Sequence, residues 1–170
     1  MKRLLFLSGV LFLNIAVACG QADKSKRPSP PAKVSESIAS GATITIDYSQ
    51  PSVKGRKVGE DIATNGKVWR TGANEATIFE TTKDVTVEGK PLPAGKYSLF
   101  TIPGDNEWTV IFNKQTGQWG TQYKEGEDAL KVPVKAVKAP AFTEKFTMSV
   151  AKEGKVTGYW GDKGFEFNVK

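Results

Sequence analysis

The sequence predicts an all-β protein: a single antiparallel β-sandwich of jelly-roll or immunoglobulin-like type, with eight or nine strands and little or no helix. Three observations carry that expectation. Thr43 to Tyr48 alternates strictly, with Ile44, Ile46 and Tyr48 on one face, as a half-buried strand requires. Short aromatic and β-branched runs follow, each bounded by Gly, Pro, Asn or Asp, the residues that turn a chain back on itself. No window of about twelve residues repeats its apolar side chains at the helical period.

Residues 1–19 read as a secretory signal. Lys2 and Arg3 form the basic region, Leu4 to Leu13 the apolar run, and Ala16-Val17-Ala18 the small residues before Cys19. Cys19 is the only cysteine, and its surroundings resemble a bacterial lipobox, with Ala16 where Leu is usual. The expectation is an exported lipoprotein of the periplasm or outer membrane, acylated on Cys19. Ordinary cleavage after Ala18 or Ala22, giving a secreted protein, is the alternative. A single cysteine leaves no disulfide, so stability must come from the core. Residues 20–40 carry Pro28, Pro30, Pro31 and four basic residues, a composition expected of a solvated tether. Residues 41–170 remain for one domain.

Within that domain the expected strands are Thr43 to Tyr48, Ala76 to Thr82, Val85 to Val87, Lys96 to Ile102, Trp108 to Phe112, Leu130 to Val137, Phe146 to Val150, Val156 to Trp160 and Phe165 to Val169. Pro103-Gly104-Asp105-Asn106 makes the clearest hairpin reversal. Glu88-Gly89, Glu153-Gly154 and Asp162-Lys163-Gly164 supply turns, and Glu125 to Leu130 has room for one turn of helix. The expected core is Ile44, Ile46, Trp69, Phe79, Val85, Leu99, Phe100, Trp108, Ile111, Phe112, Phe146 and Trp160.

Inventory excludes most standard chemistry. The chain has no histidine, which removes the usual general base of a nucleophilic triad and the common zinc sites. No phosphate-cradling glycine loop occurs, and Asp61, Asp105 and Glu107 lack calcium-loop spacing. No cofactor is expected. Six of the 24 basic and two of the 18 acidic residues lie in the first forty positions. The domain is therefore nearly neutral and has no footprint for nucleic acid. A membrane is expected as a partner only through the lipid.

What remains is the segment Lys67 to Thr77, KVWRTGANEAT, too polar for a core strand. The domain's basic residues are Lys except for Arg56 and Arg70, and Arg offers a planar fork that binds a carboxylate or phosphate. Candidate ligand-binding residues are Lys54, Arg56, Arg70, Asn74, Glu75 and Trp119. Alternatively, Arg70 pairs with Glu75 or Asp47 and pins the segment to the sheet. Alternation places Trp69 opposite Arg70, toward the core. Trp119 and Tyr123 lie in a loop, where they could stack on a ligand or cap the sandwich end.

The motifs Arg27-Pro28-Ser29-Pro30, IDYSQPSVKGR (46–56), KVWRTGANEAT, LPAGKYSLFTIPG (92–104), EWTVIFN (107–113) and Gln118-Trp119-Gly120 stand in an order that resembles the domain-of-unknown-function 2911 family, exported bacterial proteins common in Bacteroidota. The resemblance implies an exported β-rich domain and no reaction. The chain departs from it at Gln50, where relatives often carry Arg, and in the stretch 58–66. Three functions follow as expectations: a non-enzymatic envelope module binding a small polar or anionic ligand or an envelope protein; a structural or assembly component; or a glycan hydrolase using Glu75 and Asp47, since glycosidases need two carboxylates.

Overall fold

In the computed structural model, which describes residues 23–170, the alternating Thr43–Tyr48 run is an inner strand of a large antiparallel sheet. Among the described residues nine strands form: β1 Pro31–Ser37, β2 Thr43–Ser49, β3 Thr77–Thr81, β4 Val85–Val87, β5 Lys90–Leu92, β6 Gly95–Ile102, β7 Glu107–Asn113, β8 Asp128–Val150 and β9 Lys155–Asn168. Seven of them make one sheet in the order β1-β2-β3-β6-β7-β8-β9, and β4 pairs with β5 beside it. Among the described residues the helical content is two single 3₁₀ turns, Lys24–Lys26 and Glu125–Glu127, the second of them inside the stretch expected to hold one helical turn.

The sheet curls because its longest strand bends. β8 pairs with β7 along its first part and with β9 from Lys135 onward, and its register with β9 slips between Lys138 and Thr143 and again before Thr147. Such slips bend a strand and increase its twist. The second part of β8 thereby reaches the end of β2: the Phe146 amide donates to the Pro51 carbonyl (2.9 Å), the Val53 amide to the Glu144 carbonyl (2.8 Å), and the Met148 amide to the Tyr48 hydroxyl (3.0 Å). A single sheet thus faces itself across one core of Ile44, Ile46, Phe79, Leu99, Trp108, Phe112, Phe146 and Phe167, all nearly inaccessible to solvent. A smaller cluster, Ala76, Phe100 and Ile111, lies on the opposite face of β6 and β7, with Ile102 and Tyr123 packed against it.

The tether expected over 20–40 is corrected. Residues 31–37 are an edge strand in full register with β2, from Pro31 opposite Ser49 to Ser37 opposite Thr43. Its inward residues, Ala32, Val34 and Glu36, are only half-buried, so no hydrophobic alternation announces it. Pro31 is tolerated because it opens a strand at the sheet's edge. Short β5 has Pro91 at its centre and buries only Leu92, so three residues give no alternation to read. The expected turn at Asp162-Lys163-Gly164 is instead a bend inside β9. Gly161 takes φ 64°, and the two halves close so tightly that a Cβ on Gly158 would come 2.6 Å from the Phe165 ring. Signal and lipidation expectations for residues 1–19, with Cys19, lie outside the described residues.

Candidate functional site

Trp69 starts the site. Its amide donates to the Thr101 carbonyl (2.7 Å) and its carbonyl accepts from the Thr101 amide (2.9 Å), so the segment adds a two-bond rung to β6. The indole faces inward as expected, stacked on Trp160 at 5.3 Å and 9° and edge-on to Phe146 at 5.0 Å. Period-two alternation then sends Arg70 to the outer face.

The chain next reverses through an unusual backbone. Thr71 (φ 50°) and Asn74 (φ 60°) occupy the left-handed region, which costs about 1–3 kcal/mol for a non-glycine residue and is rarest for a β-branched one. Thr71 is fully buried. It is held there by the Thr77 hydroxyl, which donates to its carbonyl at 2.7 Å, and by its own hydroxyl, which donates to Thr101 Oγ1 at 3.1 Å. Gly72 between them is obligatory in space as well as in φ: a Cβ would lie 2.9 Å from Thr77 Oγ1 and 3.1 Å from the Ser49 carbonyl.

Beyond the reversal, Asn74 and Glu75 grip the amino-terminal segment. Arg27 Nη1 donates to both Glu75 carboxylate oxygens, at 3.1 and 2.9 Å, and Lys24 Nζ stands 3.1 Å from Oε1. Asn74 Nδ2 donates to the Ser29 carbonyl at 3.1 Å. The Glu75 pKa falls to about 2, chiefly because the carboxylate accepts its own backbone amide, with Arg27 and Lys24 adding to that against the opposing effect of burial. Arg70 therefore does not pair with Glu75, nor with Asp47, which takes Lys33 Nζ at 3.2 Å. The arginine that closes the clasp is Arg27.

Arg70 lies elsewhere. The Gln118-Trp119-Gly120 stretch runs beside Asn74–Ala76: the Gly120 amide donates to the Asn74 carbonyl (2.9 Å), Trp119 bridges Glu75, and the Ala76 amide donates to the Gln118 carbonyl (3.1 Å). The Arg70 stem crosses directly over Gly120, where a Cβ would sit 2.5 Å from Arg70 Cδ. Arg70, Gly120, Val68, Trp69, Phe100, Thr121 and Tyr123 line an open depression of about 440 Å³. Trp119, 47% exposed, precedes Gly120 in the chain. Tyr123 is fixed by its hydroxyl, which donates to Asp128 Oδ2 at 2.6 Å, while Lys131 Nζ holds the same carboxylate at 3.0 Å. Burial first and Asp128 second push the Tyr123 pKa up to about 12.

The six candidate residues thus divide. Asn74, Glu75 and Trp119 are joined through backbone pairing next to the Arg70 depression but do not line it, and Glu75 lines a separate depression with Lys24, Arg27 and Asp47. Arg56 lines a different depression beside the bend in β8, where it is spent on the carbonyls of Val53 (3.0 Å) and Ser52 (2.8 Å), and the neighbouring Lys54, whose amide donates to Glu144 Oε1 (2.9 Å), lines neither that one nor the Arg70 depression. Gln50 lies with the second part of β8, its amide 3.3 Å from the Phe146 carbonyl, and does not line the Arg70 depression. Arg27 and Lys24 were overlooked because they sit in apparent tether. The signal was the Arg27-Pro28-Ser29-Pro30 motif itself, since a featureless linker has no reason to carry one. Gly120 could not be singled out without the fold. Among the described residues no three His, Cys, Asp or Glu side chains gather as a metal site, and no helix is long and apolar enough to cross a membrane.

The family model for a protein of unknown function, DUF2911, matches residues 29–169. No curated protein and no solved structure matches the chain.

Proposed function

The chain belongs to this family of unknown function, DUF2911, and we propose that it is a non-enzymatic ligand-binding module of the bacterial cell envelope, with Arg70 as the residue that meets the ligand. One observation carries the reading. Of the arginines in the described residues, Arg27 is bound to Glu75 and Arg56 to two carbonyls, whereas Arg70 makes no hydrogen bond or ion pair among those residues. A half-buried guanidinium keeps five donors to satisfy, and leaving such a group partly desolvated and unpaired is costly. A polar or anionic ligand in the depression satisfies them.

Asn74 and Glu75 serve the structural alternative: their bonds to Arg27 and Ser29 make them fastenings of the fold. The glycan-hydrolase reading has little support. A glycosidase needs one carboxyl kept protonated by a raised pKa, and Glu75 is driven the opposite way, to about 2, while Asp47 is ion-paired with Lys33. For location, the Lys2-Arg3 and Leu4–Leu13 pattern ahead of Ala16-Val17-Ala18-Cys19 supports export with an acyl anchor on Cys19.

A thermal-shift screen of small polar and anionic compounds on the purified protein and on Arg70→Gln tests the reading. A ligand at about 100 times its dissociation constant adds about 2.7 kcal/mol to stability. At least one compound should stabilise the protein and lose its effect in Arg70→Gln; hits that stabilise both equally end the case for Arg70. Incorporation of a palmitate analogue should disappear in Cys19→Ala, and persistence of label removes the anchor.

A further inference from the structure

Every group around Arg70 has a readable commitment, and together they describe the ligand. The Tyr123 hydroxyl is spent on Asp128, so Tyr123 offers its ring to the depression, tilted against Phe100 with centroids 5.0 Å apart. Val68, 41% exposed, adds an aliphatic wall. Thr121 contributes the one side-chain hydroxyl of the lining not already engaged, and no carboxylate lines the depression. The lining therefore presents a single positive charge against an aromatic and aliphatic surface. The cation is aimed rather than loose: its stem is seated over Gly120, where any side chain would strike Arg70 Cδ.

A single guanidinium matches one planar, singly charged carboxylate through two parallel hydrogen bonds. A phosphate dianion calls for more than one cation, and none other lines the depression. A bare inorganic anion would leave the aromatic wall without use, and a neutral polyol would leave the charge unmet. We infer that the Arg70 depression binds a small organic carboxylate carrying a flat or apolar body, the carboxylate on the guanidinium and the body against Tyr123 and Val68, with buried Phe100 backing the Tyr123 ring. This rests on the ligand-binding reading above and narrows it to one chemical class.

Phenylacetate, phenylacetamide, phenyl phosphate and acetate, titrated calorimetrically into the purified protein, separate the parts. Phenylacetate should bind with a dissociation constant of about 1 mM or below, the range open to a ligand of its size. The amide, lacking charge, and acetate, lacking the body, should each bind at least about tenfold more weakly, and phenyl phosphate no more tightly than phenylacetate. In Arg70→Gln the preference for the acid over the amide should vanish while the thermal midpoint stays close to that of the parent. Gly120→Ala, whose Cβ would press on the Arg70 stem and lie 2.9 Å from the Asn74 carbonyl, should also weaken phenylacetate. Amide binding equal to the acid, or tighter binding of the phosphate, overturns the carboxylate assignment and leaves an Arg70 site of another class. Failure of all four to bind, or phenylacetate binding unchanged in Arg70→Gln, overturns the assignment and the Arg70 site together.

Discussion

The clasp between Arg27 and Glu75 can be broken one charge at a time. Glu75→Gln keeps the side chain's shape, and the amide oxygen can still accept the backbone N–H that is the largest cause of the low pKa. The charge-assisted bonds to Arg27 Nη1 at 3.1 and 2.9 Å and to Lys24 Nζ at 3.1 Å are what is lost. A fall in pKa from 4.5 to about 2, converted at about 1.36 kcal/mol per unit, sets a ceiling near 3.4 kcal/mol. The carboxylate is 39% exposed, so solvent screening reduces this to about 1 kcal/mol. For a domain of this size that is a drop of about 2–4 °C in melting temperature. In a urea-denaturation cycle with Arg27→Ala, the double variant should lose little more than either single one, a coupling of about 1 kcal/mol. The sign of the pH dependence follows from the depressed pKa. The folded state binds fewer protons at Glu75 than the unfolded state, so its contribution is complete above pH 4.5 and lost as pH falls toward 2. Protein and Glu75→Gln should therefore differ at neutral pH and converge in acid. Amide exchange within Ala32–Ser37 should accelerate in the variant, because the clasp precedes that edge strand. Strictly additive losses, with exchange unchanged, would refute the clasp.

Three further perturbations test the frame. Trp69→Ala removes the ring stacked on Trp160 and edge-on to Phe146 and Trp108; because Trp69 is only partly buried, a loss of about 3 kcal/mol is expected in urea denaturation. Gly154→Ala places a Cβ 1.9 Å from the Val169 carbonyl at φ 91°, and should deplete soluble protein far more than Gly126→Ala, where a Cβ meets nothing within 4 Å. Asp128→Asn weakens the bonds from Tyr123 and Lys131; spectrophotometric titration should bring the Tyr123 phenol down from about 12 toward 10.

Fold class, hairpin at Pro103–Asn106 and core were legible because the inner strands carry large alternating side chains: Ile44, Ile46, Leu99 and Phe112 bury nothing polar and point one way. Edge strand β1 was not legible, since Ala32, Val34 and Glu36 give no such contrast and its evidence is a set of backbone bonds to β2. Joining Leu130–Val137 to Phe146–Val150 as one bent strand depends on slips in pairing that composition does not encode. At the site, the inward Trp69 and outward Arg70 follow from alternation alone. Which carboxylate meets which arginine does not, because Arg27 and Glu75 are 48 residues apart in sequence. Assigning Arg27 to a tether hid the one partner that decides what Arg70 is free to do.

The clasp also shortens the leash. Twenty unpaired residues could let a domain wander as much as about 70 Å from its point of attachment. With Lys24 and Arg27 fastened to Glu75, four residues separate Cys19 from the first fastened side chain, five chain steps with a reach of at most about 18 Å. An acyl chain on Cys19 would then hold the body within about half a bilayer's thickness of the headgroups, with the Glu75 side of the sheet nearest the lipid. Because Asn74–Ala76 runs beside Trp119 and Gly120, the mouth of the Arg70 depression would open close to the membrane surface. A compound arriving there would be drawn from the thin layer of solvent at the lipid, not sampled from the compartment at large.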